Sequence, residues 1–262
     1  MINVKKAFIL PISDISNKFR VENNNLNIAD LIAGSELQPV KIKEFAIAHR
    51  NERNKRETST NSFRYVEIGD IDVNLGRIKH YRIFKGAYAP NNARRIMSYG
   101  DILVSTRRPT RGAIVSVPQE FDKHICSIFF TTLTIEDWNV VDPFYLALFL
   151  RTSLGRFQFQ SAITETAYPV ISDTDVLNMT VLLPSIDEQR RIANTYNQSV
   201  DDFFLELNEA HKKIVSSRQE IENFILGDEA EVIEAPIFGL TPLAQEDIED
   251  SEDVENGEIT EL

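Results

Sequence analysis

The chain has 262 residues, 42% hydrophobic and 9% aromatic, enough for one large domain or two small ones with a proper core. Cys126 is its only cysteine, which excludes an intrachain disulfide and a cysteine-built zinc site and suits a reducing cytosol. The net charge of −12 argues against a nucleic-acid partner only until it is located: residues 228–262 hold 13 of the 40 acidic side chains and none of the 28 Lys and Arg, leaving residues 1–227 at a formal +1.

At the N-terminus the apolar run from Ala7 to Ile12 contains Pro11 and soon meets Asp14, so it is too short for an export segment. No stretch reaches the ~18 apolar residues of a membrane span, and the expected location is the cytoplasm, with no membrane partner. Residues 1–40 mix short apolar runs with "NNN" and receive no role. The stretch "NERNKRETSTNS" (51–62) has no apolar side chain and reads as a loop, because nothing in it offsets the entropy of ordering.

Between 63 and 135 the pattern is β. "RYVEIGDIDV" alternates apolar and polar residues, while "DILVST" and "GAIVSV" are short branched runs bounded by Gly and Pro. "SIFFTTLTI" (127–135) is a further strand. "DPFYLALFLRT" (142–152) reads as a helix entered at Asp142 with Pro143 in its first position. "VLNMTVLLP" (176–184) returns to strand character, completing an α+β domain over 1–184.

A single long helix is expected over 185–227. Ser185 and Glu188 have capping-box spacing, and Gly227 stands where a C-terminal glycine belongs. Within it Ala193, Tyr196, Val200, Phe203, Leu207, Ala210, Ile214, Ser217, Ile221 and Phe224 follow a strict 3,4 spacing, and all but Ser217 are apolar or aromatic. That is the seam of a coiled coil. From Ala193 to Phe224 the rod spans about 48 Å at about 1.5 Å per residue, longer than the ~30 Å of a small domain, which favours pairing with another helix over packing on its own body. Tyr196, Val200, Phe203, Leu207, Ile214, Ile221 and Phe224 are therefore the expected interface. The acidic stretch 228–262 reads as a disordered tail.

The residues most suited to binding are arginines. Arg94, Arg95, Arg107, Arg108 and Arg111 fall in "ARRIMSYGDILVSTRRPTRGAIVSV", where Asp101 is the sole carboxylate. Pro109 and Gly112 make a turn between two strands with three guanidiniums at its tip, and arginine forks match phosphate oxygens and the O6/N7 edge of guanine. Thr110 can meet either base or phosphate. Lys79 and Arg82 belong to a second basic stretch, interleaved with Tyr81 and Phe84. Catalytic signatures are missing: there is no GxGxxG or Walker loop, no His pair at zinc-ligand spacing and no Glu-x-Lys. "DPFY" is similar to the amine-holding motif of amino-methyltransferases, but Phe144 replaces its second proline.

Four phrases in order, "YVEIGDID", "GDILVSTRRPTRGAIV", "DPFYLALFLRT" and "VLLPSIDEQRRIA", resemble the DNA specificity (S) subunits of type I restriction–modification systems, over about residues 40–226. The resemblance implies a target-recognition domain followed by a long helix. It also implies a non-catalytic role without cofactor or metal, placing methyltransferase (M) subunits and a restriction (R) subunit on a bipartite double-stranded DNA target. With one recognition domain and one rod, the sequence resembles a half-subunit that pairs with a copy of itself or a second half. Two alternatives are a coiled-coil scaffold with an acidic partner-binding tail and a divergent methyltransferase using "DPFY".

Overall fold

The computed structural model describes residues 34–53, 62–86, 88–163 and 169–226, with Ile28 and Ile32. Most of residues 1–40, the greater part of the 51–62 stretch, Gly227 and the acidic segment 228–262 lie outside the described residues.

In chain order the elements are β1 (Pro39–Lys41), β2 (Ala46–His49), β3 (Ser62–Val66), β4 (Ile71–Asp72), β5 (Arg77–Ile78), β6 (Arg82–Lys85) and β7 (Ala93–Ile96). They continue with β8 (Ile102–Ser105), β9 (Ile114–Ser116), β10 (Ile125–Ser127) and β11 (Phe130–Ile135). Helices α1 (Pro143–Arg151), α2 (Ser153–Ala162) and α3 (Asp173–Leu177) precede β12 (Thr180–Leu182), and α4 (Ile186–Leu226) closes the described chain. The architecture is α+β, as expected.

One sheet has the order β6-β3-β10-β7 and another β2-β11-β8-β9, the second antiparallel throughout. Successive strand residues face opposite sides. On β8, Ile102 and Val104 join the helix-side core with Leu146, Leu150 and Ala193, whereas Leu103 joins a second core with Val115, Phe121 and Phe130. Both faces of β8 are thus buried, which is why "ILV" reads as an unbroken apolar run rather than an alternation.

Three expected elements differ in detail. "RYVEIGDIDV" is two strands rather than one, split by a single 3-10 turn over Ile68–Asp70 whose N-cap backbone is held by Asp70 (Glu67 N–H donating at 2.6 Å). "VLNMTVLLP" begins as the end of α3 and is extended only over Thr180–Leu182. "SIFFTTLTI" belongs to β11 from Phe130 onward, Ser127 ending β10. In each case a short side-chain cap or turn outweighs strand propensity.

Candidate nucleic-acid interface

The β8–β9 hairpin carries the arginine turn. Pro109 is buried at its root, and Arg107, Arg108 and Arg111 are exposed around it. Arg108 (φ 50) and Gly112 (φ 78) are both left-handed, flanking one 3-10 turn over Pro109–Arg111. The turn is tied down: the Ser105 hydroxyl donates to Arg107 O (2.7 Å), Arg108 N–H to Pro169 O (3.0 Å) and Ile171 N–H to Thr106 O (3.0 Å). The Arg107 guanidinium lies over the Phe129 ring, 3.4 Å from its centroid, a stacked cation–π contact. Thr110 is half-buried, and its carbonyl accepts from Arg156 Nη2 (3.4 Å).

The 169–173 segment is bonded to this turn and lines one cleft with Arg94 and Arg95 of β7. Arg94 and Arg95 lie on that strand, but their environments differ. Arg94 is half-buried, with its Nε 3.3 Å from a Glu52 oxygen. Arg95 is only 6% exposed, and its Nε and Nη1 have no hydrogen-bond partner among the described residues. Burial pushes its guanidinium below the ordinary range, which nearby Asp173 only partly offsets. Arg50 binds Asp173 at 2.8 Å, and Thr131 donates to the other Asp173 oxygen at 2.6 Å. Burial alone would raise that carboxyl, but these partners hold it below its usual value.

The second basic stretch is elsewhere. Arg82 lies on β6, the opposite edge of the sheet from β7, stacked over Tyr65 and paired with Glu67 at 3.0 Å. Lys79 is exposed beside α1 and α4 rather than beside the arginine turn. The structure therefore brings Arg94 and Arg95 towards Arg107 and Arg108, and leaves Lys79 and Arg82 apart.

Helix α4 is bolted to the body at its start. Gln189 is 1% exposed; its Oε1 accepts from Asp142 N–H (3.0 Å) while its Nε2 donates to Pro184 O (2.9 Å) and Val140 O (3.1 Å). Arg190 reaches Trp138 O (3.1 Å), Tyr196 OH donates to Leu75 O (3.2 Å) and Arg77 meets Asp201 (2.7 Å). Ser185 Oγ accepts from Glu188 N–H (3.4 Å), but the Glu188 carboxylate turns to Arg191, so half of the expected capping box forms.

The seam accordingly divides. Ala193 and Val200 are both 4% exposed and Tyr196 is half-buried with its hydroxyl on the body, so the chain covers this portion itself. Beyond it Phe203 (44%), Ile214 (60%), Ile221 (59%) and Phe224 (91%) stand open, with Leu207 intermediate. The expectation of a seam from Ala193 onward did not separate these two portions. The periodicity is continuous, but what buries it changes after Val200.

No family model and no curated protein matches the chain. Solved structures do. The HsdS subunit from Thermoanaerobacter tengcongensis aligns with a TM-score of 0.56 and 26% identity over 73% of this chain. A structure addressing complex assembly and conformational transition of the type I R-M system aligns with a TM-score of 0.56 and 25% identity over 76%. The chain is similar in fold to type I specificity subunits. It spans about half the length of those structures, 47% and 51% respectively.

Three of the four phrases that carry the specificity-subunit resemblance hold residues with structural roles. Gly100 (φ 80) lies against Trp138, where an added Cβ would come within 2.0 Å of the indole. Asp101, 1% exposed, accepts from Ser98 N–H (2.7 Å) and the Thr134 hydroxyl (2.6 Å) and meets His49 Nε2 at 3.2 Å. Gln189 is the anchor described above. Asp142 of "DPFY" is the N-cap of α1, its carboxylate accepting from Tyr145 N–H (2.9 Å). Arg50, Thr106, Arg156 and Asp173 were missed, because they meet only through tertiary folding and no local spacing marks them.

Proposed function

We propose that this chain is a DNA-reading, non-catalytic unit of a type I restriction–modification system. The arginine turn enters a groove of double-stranded DNA, where Arg107, Arg108 and Arg111 read base edges or phosphates with Thr110, and Arg94 contacts backbone. The open seam from Phe203 to Phe224 pairs with a second such helix, from another copy or another half, so that two recognition bodies are held apart on a bipartite target. Through this arrangement it positions methyltransferase subunits, and with them a restriction subunit. Residues 1–184 form the recognition domain in this reading, 185–227 the spacer and 228–262 a tail.

The observation that carries the reading is the pairing of a buried-Gln189 anchor with an apolar stripe left open beyond Val200, in a chain whose fold matches specificity subunits. A rod fixed at its base transmits distance; a hinged one does not. The test is selection from a random duplex library by the chain assembled with a methyltransferase subunit. Enrichment of a split motif with a fixed gap supports the proposal, and enrichment of no motif in the assembled complex rejects it.

A further inference from the structure

Arg95 lies at the base of a cleft of about 310 Å³ lined by Arg50, Glu52, Arg94, Thr106 and Asp173. Among the described residues, donors in this cleft outnumber the acceptors left to them. Asp173 Oδ2 is taken by Arg50 Nε (3.0 Å) and Nη2 (2.8 Å), and its Oδ1 by Thr131 (2.6 Å). The Thr106 hydroxyl donates its proton to Phe129 O (2.8 Å). Glu52 faces Arg94 at 3.3 Å. Arg95 Nε and Nη1 are buried and unbonded among the described residues.

Three guanidiniums against two carboxylates leave one formal positive charge around the cleft, and Arg95 is the one of the three that is buried. A trapped water would satisfy hydrogen bonds but supply no charge, and an unpaired buried charge is costly. A ligand that meets both needs has at least two acceptor oxygens side by side and a negative charge, which is the match between an arginine fork and a phosphate. A base edge within a duplex cannot reach a side chain this buried, whereas phosphate is the outermost part of DNA. The cleft volume falls at the small end of ligand sites, roughly 300–1,000 Å³.

We propose that this cleft is an oxyanion site for phosphate chemistry, gripped by the Arg95 fork with Arg50 and Arg94 at its rim. The phosphate comes either from a DNA backbone, which rests on the function proposed above, or from a free phosphate or nucleotide, which does not.

The test uses the full chain, with Arg95→Met to remove the fork and Thr106→Phe to fill the cleft while keeping the charge. Thermal unfolding is followed in inorganic phosphate and in chloride at matched ionic strength, and binding to a random-sequence duplex is followed against salt. Phosphate should raise the wild-type Tm above that in chloride, and both variants should lose the difference. If the source is a backbone phosphodiester, the variants also make the negative slope of log K against log salt shallower by about 0.9; such a change upholds the site even without a Tm shift. A Tm shift with an unchanged slope assigns a free anion. Phosphate stabilisation without any duplex binding by the chain or its assembled complex retains the site and sinks the proposed function. No phosphate-specific stabilisation together with an unchanged slope overturns the site and leaves the function reading standing.

Discussion

Asp101 sits in the middle of the arginine-rich stretch, yet it is spent on shape: it closes the turn before β8 and ties β8 to β11 through Thr134 and to β2 through His49. Asp101→Ala strands those donors in the core and should cost about 1–3 kcal/mol, read as a lower urea midpoint at constant m. Arg108 is the opposite case, an exposed residue held at φ 50 where most side chains are strained by roughly 1–2 kcal/mol. Such strain at an exposed tip motivates the test of Arg108 as a binding residue. Arg108→Gly should leave stability unchanged or raise it by up to about 1 kcal/mol, while weakening DNA binding by about 1–3 kcal/mol if Arg108 reads guanine. Equal weakening on every sequence, with a shallower salt slope, would make it a phosphate contact instead. Asp173 sets an acid limit. Its folded carboxyl titrates below the ordinary 3.8, so its contribution is full above that pH and is lost as pH falls through the lower folded value. Acid unfolding of Asp173→Asn should therefore show a flatter limb below about pH 4 than the wild type.

At the scale of elements, the long helix was the most legible feature, because a 3,4 repeat over its whole length needs no tertiary knowledge to read. Helix α1 was equally legible, since Asp142 and Pro143 define its start locally. What could not be read was the division of the seam: Val200 and Ile214 have the same spacing, and only the fold places a body against one and leaves the other open. The same limit applies to the arginines, where Arg94 and Arg95 are adjacent in sequence but one is half-exposed and the other buried by the pleat of β7. Arg82 looked free for phosphate, yet β3 and the turn after it bring Glu67 to it. The open portion of α4 predicts its own behaviour. Ile214→Asp or Ile221→Asp should leave the unfolding midpoint of the body unchanged and weaken helix pairing by about 1.5–3 kcal/mol, at least roughly tenfold, seen in sedimentation of the complex. Gln189→Leu removes the anchor instead, and should loosen the angle between body and helix along with stability.

For the whole molecule, the body that carries the arginine turn is followed by a rod of 41 residues, about 61 Å at about 1.5 Å per residue, whose base is immobilised by Gln189, Tyr196 and Arg77. Two such rods paired through their open seams would convert helix length into a gap between DNA half-sites. Inserting one heptad after Ala210 keeps the seam in phase and lengthens the rod by about 10 Å, or about three base pairs at about 3.4 Å per pair. The decisive measurement is the spacing of the split motif selected by the assembled complex before and after that insertion. The expected result is the same half-sites with a gap wider by about three base pairs; retained binding at the original gap would contradict a ruler role for the helix.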